Sequence, residues 1–249
     1  MSANPSARER VRSVRDRIER ACARTARSPE QVQLVGVCKR QPIERVVQAV
    51  RAGVMQLGEN YVQALQERRP LVEAQLDPEV AARLRWRMVG GLQRNKARAA
   101  ISVADAVDSV DRASLAAEID KRAAAAKRVI DVCLQVNLSL EPRKSGVDAT
   151  ALPALLEACA PLSHLRVVGL MTIPAASDDP EASRPTFARL RELRDTLRDM
   201  PGGGDLRELS MGMSGDFEVA IEEGATLVRV GTALFGSRND TPGKTGKDT

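Results

Sequence analysis

Eight short apolar runs punctuate the chain: 32–39 (VQLVGVCK), 54–60 (VMQLGEN), 85–91 (RWRMVGG), 105–110 (DAVDSV), 129–137 (VIDVCLQVN), 165–173 (LRVVGLMTI), 206–213 (LRELSMGM) and 226–236 (TLVRVGTALFG). Each is rich in valine, leucine or isoleucine and almost unbroken in apolarity, the pattern of strands buried on both faces. The stretches between them, such as PIERVVQAVRAG, DRASLAAEIDKRAAAAK, ATALPALLEACA and RPTFARLRELRDTLRDM, space their apolar residues by three and four. Proline near their starts and glycine or proline near their ends mark them as helices. Strand then helix, repeated eight times, predicts a parallel α/β (β/α)8 TIM barrel, with a doubly wound open sheet as runner-up. The length, 249 residues, suits one such barrel. A parallel barrel gathers the C-terminal ends of its strands at one mouth, where its chemistry sits.

Ahead of the first run, Val11, Val14, Ile18 and Cys22 recur at helical spacing among eight arginines between 8 and 27. This predicts an amphipathic helix in residues 1–30, laid on a barrel of residues 31–236 with its arginines in solvent. Residues 237–249 read as a disordered polar tail. The helix accounts for much of the net charge of +5; a solvated face is the stronger reading of it, a docking patch for a polyanion the weaker. Aromatics make up only 2% of the chain, which argues against a base-stacking surface for nucleic acid. Cys22, Cys38, Cys133 and Cys159 form no CxxC pair and no signal peptide is evident, so they read as reduced, buried thiols of a cytoplasmic protein. Every apolar run is interrupted well short of a membrane span.

Three segments reach the predicted mouth with chemistry. Lys39 closes the first strand; desolvation of an ammonium is costly, so a lysine there becomes an amine nucleophile. Taken alone, a strand-end lysine in a salt bridge is the stronger reading, and the barrel position favours the nucleophile only modestly. After the seventh strand, SMGMSGD places Ser214 to cap a helix whose first backbone N–H groups would favour an anion. After the eighth, Gly231 and Thr232 offer a close-approaching backbone and a hydroxyl, in the loops where such barrels habitually hold phosphate. Strand alternation puts Arg229 on the face of Gly231, either toward a ligand or in an ion pair inside the barrel. An imine-forming lysine beside a phosphate cradle points to pyridoxal 5′-phosphate (PLP). The lone His164 falls at the opposite end of the barrel, and Asp105, Asp108 and Asp111 read as caps of the following helix. No second histidine accompanies it to make a metal site.

Together LVGVCK, GENYVQ (58–63), GGLQRNK (90–96), KSGV (144–147), GLMTIP (169–174) and LSMGMSGDFEVAIEEGATLVRVGTALFG (209–236) resemble the pyridoxal phosphate homeostasis protein family, small alanine-racemase-like barrels. The resemblance implies a monomeric fold-type III PLP barrel with Lys39 as the Schiff-base lysine. It further implies phosphate contacts from Ser210, Ser214, Gly231 and Thr232, Arg229 near the pyridine nitrogen, and Asn60 and Met171 lining the site. The family is regarded as a carrier or regulator of PLP supply, affecting amino-acid and keto-acid balance, with PLP-dependent apoenzymes as prospective partners. Departures from the family pattern are Cys38 and Arg40 beside the lysine, Arg87 in place of a histidine, and Gly91. A weak racemase or another Schiff-base enzyme is the alternative function. Racemisation needs acid–base groups on both faces of the substrate carbon, and the chain's one tyrosine, Tyr61, reads first as packed at a helix start and second as a site residue.

Overall fold

The apolar runs become strands of a single parallel sheet in the computed structural model, which describes residues 5–139 and 145–236. The strands are β1 (Gln33–Val37), β2 (Gln56–Glu59), β3 (Arg85–Met88), β4 (Ala106–Val110), β5 (Ile130–Asn137), β6 (Val147–Asp148), β7 (Leu165–Met171), β8 (Glu208–Ser210) and β9 (Leu227–Val230). They lie in the order β4-β3-β2-β1-β9-β8-β7-β5, and a β4–β5 pairing closes the ring into the expected eight-stranded barrel. The two-residue β6, in the KSGV segment, is an unforeseen addition that pairs parallel to the end of β5. Register is continuous across the seam between first and last strands, with Val35 opposite both Gln56 and Arg229.

The helices are α1 (Ala7–Arg24), α2 (Ile43–Arg51), α3 (Val62–Glu73), α4 (Pro78–Arg83), α5 (Ala97–Ile101), α6 (Ala113–Ala125), α7 (Leu152–Cys159), α8 (Arg184–Leu197), α9 (Phe217–Glu222) and α10 (Thr232–Phe235). The run 226–236 therefore changes state midway: Gly231 ends the strand and the next four residues turn helical. With few aromatics, the layer between sheet and helices is filled by Val, Leu, Ile and Ala around Trp86, Phe187, Phe217 and Phe235, all buried. None of the described helices is long and apolar enough to cross a membrane.

Helix α1 buries Val11, Val14, Ile18 and Cys22 as its periodicity requires, and opens on a reciprocal Ser6–Glu9 capping box. Its arginines do not all stand in solvent. Arg17 grips the Glu218 carboxylate with two bonds and lies 4.4 Å from the Phe217 ring centroid. Arg24 pairs with Glu222, and Arg27 donates to the carbonyls of Ile221 and Ala225. Periodicity identifies the buried face, but only the fold brings α9's acids to the flanks of α1. The tail 237–249 lies outside the described residues.

Candidate active site

The mouth of the barrel opens into a cavity of about 400 Å³ whose wall includes Lys39, Asn60, Ser214, Arg229, Gly231 and Thr232. Strand alternation sets Val37 and Lys39 on this wall and turns the intervening Cys38 outward into the core. There the thiol is fully buried against the carbonyls of Gly36 and Gly58, and burial beside Glu59 pushes its pKa far up. Arg40, the next residue, takes a left-handed conformation with φ 58°. The Lys39 Nζ stands 5.8 Å from the ring centroid of Tyr61, which stands at the start of α3 as expected but is 54% exposed at the rim rather than packed.

Asn60 reaches the wall because Gly90 lets its backbone through: a Cβ at Gly90 would lie 2.3 Å from the Asn60 carbonyl oxygen. The buried Glu59 accepts from Arg68 at 2.8 Å, and Arg68 in turn donates to the Gln41 carbonyl, so the loops after β1 and β2 are tied together.

The loop after β8 is shaped by Gly212 at φ 89°, where a Cβ would come within 2.6 Å of Ala220. Asp216, not Ser214, stands at the N-terminus of α9; its carboxylate accepts from the Met213 N–H at 2.6 Å and the Ser183 hydroxyl at 3.0 Å. The expected Ser214 cap is therefore corrected. Its hydroxyl instead accepts from the Gly231 N–H at 3.3 Å, joining the two loops. Among the described residues the N–H groups of Ser214, Gly215 and Thr232 have no protein acceptor. Three free amides, two hydroxyls and a nearby guanidinium form a donor set suited to an anion of phosphate size.

Arg229 is buried and donates to the Ser210 hydroxyl at 2.8 Å and the Thr172 carbonyl at 2.9 Å, with no carboxylate in direct contact. Burial lowers its pKa, opposed by the charges of Asp108 and Asp216. Ser210 is sealed behind the wall, where its hydroxyl donates to Asp108 at 3.0 Å. Met171 is likewise fully buried, packed with Cys133 and Val168. Of the eight residues expected at the site, six thus share the cavity and these two lie behind it.

Two aspartates depart from their expected capping role. Asp108 caps no helix: it is buried on β4, accepting from Arg87 Nε at 2.9 Å. Asp105 accepts from the Trp86 N–H and pairs with Arg69 and Arg128, and α6 has no side-chain cap. Arg87, noted from sequence only as a departure, is fully buried inside the barrel between Asp108 and Glu208; burial opposes its charge, but the two carboxylates outweigh it and raise its pKa. A charge at an alternating position of an apolar strand was the available signal. His164 lies at the N-terminal end of β7, its backbone N–H held by Asp120.

The chain matches the model of the alanine racemase N-terminal domain over residues 11–239. It is 43% identical over 230 residues to a protein of Aquifex aeolicus named pyridoxal phosphate homeostasis protein, covering 92% of this chain and 97% of that one. PipY of Synechococcus elongatus, solved with PLP bound, superposes with a TM-score of 0.75 at 36% identity, covering 88% of this chain and all of PipY. An alanine racemase of Corynebacterium glutamicum shares the fold with a TM-score of 0.68 at 16% identity, over 92% of this chain and 62% of the racemase. With its racemase-type barrel and near full-length similarity to such relatives, this chain belongs to the pyridoxal phosphate homeostasis protein family.

Proposed function

We propose that this protein holds pyridoxal 5′-phosphate covalently through Lys39 and serves the intracellular supply of that cofactor, and with it amino-acid and keto-acid balance. The observation that carries the reading is the placement of Lys39 on one cavity wall with Arg229, Ser214, Gly231 and Thr232. Support comes from relatives bearing the homeostasis name and from PipY with PLP bound.

The residues fit the group. The free amides of Ser214, Gly215 and Thr232 and the hydroxyls of Ser214 and Thr232 would take the phosphate. Lys39 would bond the aldehyde carbon, Arg229 would face the ring nitrogen and Asn60 would border the ring. When bound, PLP supplies an electron sink for amine chemistry. Arg229, which does not readily give up its proton, would leave a ring nitrogen facing it unprotonated and so weaken that sink. Among the described wall residues, Lys39 and Arg229 are the only ones with a basic side chain, and an arginine does not readily give up its proton. No second group for two-sided proton transfer at a substrate carbon stands among those wall residues, and Tyr61, its ring centroid 5.8 Å from Lys39 Nζ, lies exposed at the rim; this favours a carrier over a racemase. Ser210 and Met171 enter this reading as supports behind the wall.

A cytoplasmic monomer that passes PLP to apoenzymes suits the four free, buried cysteines and the open mouth. Borohydride reduction of the PLP-loaded protein and peptide mass mapping test the reading. A pyridoxyl mass on Lys39, with negligible amino-acid turnover, is expected. Uptake of no PLP, or modification elsewhere with Lys39 unmodified, overturns it.

A further inference from the structure

A line of alternating charge crosses the barrel interior from its base to the cavity. Glu208 at the start of β8 accepts from Arg87 Nη2 at 2.8 Å, and Arg87 Nε donates to Asp108 Oδ1 at 2.9 Å. Asp108 Oδ2 accepts the Ser210 hydroxyl at 3.0 Å, and Ser210 Oγ accepts from Arg229 Nη1 at 2.8 Å. Arg87, Asp108 and Ser210 are essentially inaccessible to solvent. The line holds two carboxyl groups and two guanidiniums, and each faces a group of the other kind or a hydroxyl.

The bonds also have a direction. Asp108 accepts from Arg87 through one carboxyl oxygen and from the Ser210 hydroxyl through the other, so the Ser210 hydrogen turns toward it. That leaves the Ser210 lone pairs to Arg229. Thr172 O holds the other terminal nitrogen, so two of the guanidinium's three nitrogens are fixed from behind the wall. Nε has no protein partner among the described residues, yet no buried side-chain nitrogen there is left unpartnered, so Nε opens on the cavity.

We propose that Arg87, Asp108 and Ser210 are positioning residues that lock the Arg229 guanidinium in the one orientation facing the cofactor ring. Ser210 acts through Arg229 and contacts no phosphate. Part of the test rests on the PLP reading and part does not.

The first measurement is nitrogen NMR of the ligand-free protein, with the Arg229 signals assigned by Arg229→Lys. A locked guanidinium shows two resolved Nη signals, and a freely rotating one shows a single averaged signal. Wild type is expected to show two and Ser210→Ala one, while thermal unfolding shows the variant folded. Ser210→Cys, which keeps the volume with a poorer acceptor, serves the same comparison where alanine prevents folding. The second measurement is PLP titration with absorbance followed against pH. Ser210→Ala and Asp108→Asn are expected to weaken PLP by about tenfold, as loss of a bond to a charged group does. They should also displace the pH midpoint of the bound chromophore while leaving Lys39 the modified residue. A folded Ser210→Ala protein with two resolved Nη signals overturns the proposal, as do wild-type affinity and midpoint in both variants. A wild-type protein that binds no PLP would sink the cofactor reading and leave the NMR result to decide the lock.

Discussion

At the scale of single residues, the site depends on side chains whose neighbours leave them no alternative. Lys39 sits at the cavity because Val37 and Lys39 share a strand face and Cys38 takes the other. Lys39→Ala is expected to abolish covalent PLP attachment while the circular dichroism and melting temperature of the ligand-free protein stay near wild type, since the lysine is only half-buried. A variant still carrying borohydride-fixable pyridoxyl would remove Lys39 from its role. Gly90 is the second sensitive position. A Cβ there would meet backbone, the Asn60 carbonyl oxygen at 2.3 Å, and backbone cannot swing aside as a flexible side chain does. Gly90→Ala should cost about 1–3 kcal/mol in urea unfolding, the range for overpacking, and loosen PLP by displacing Asn60. Unchanged stability would mean that the β2 and β3 loops separate easily.

At the scale of elements, α1 is fastened to α9 by charge as well as by its apolar stripe. The two hydrogen bonds from Arg17 hold the Glu218 carboxyl below its ordinary value of 4.5. For Glu222 burial works the other way, but bonds from Arg184 and Arg24 prevail and its value is also lowered. A carboxylate depressed in the folded state stabilises above its unfolded pKa, and the contribution is lost as pH falls through the folded value. Wild type should therefore exceed Glu218→Gln in stability at pH 7 by up to about 1 kcal/mol, the range for partly exposed pairs. The gap should narrow as pH falls below the ordinary value of 4.5 and close below the lowered folded one. A gap that did not change with pH across the acid range would assign the difference to packing rather than to the ion pair. The stripe itself was legible from Val11, Val14, Ile18 and Cys22, but the partners of Arg17 and Arg24 are about two hundred residues away in sequence, which no local pattern encodes.

At the scale of the whole molecule, the closed sheet joins first and last strands, so both halves of the cavity exist only when the ring is complete. PLP binding should accordingly stabilise the entire barrel by mass action: at a free concentration of about 100 times Kd, by about 2.7 kcal/mol, or a rise in Tm of about 5–10 °C. Differential scanning calorimetry with and without PLP checks this, and separate transitions for the two halves would contradict a single cooperative ring. The sequence by itself determined the strand-and-helix order and the barrel, because short-range periodicity and turn chemistry report which face of each element is buried; its motifs, through their resemblance, added the family and completed the six residues that line the cavity. It did not determine what occupies the barrel's axis. Asp108 looked like a cap because that reading used only the residues beside it in the chain, and the resemblance that named Ser210 a phosphate contact carried no sign of its bond to Asp108. Asp108 meets Arg87 on the neighbouring β3 and Ser210 on β8, a strand that pairs with neither β3 nor β4, and a charge inside an apolar strand acquires its meaning only from strands brought to it by closing the ring.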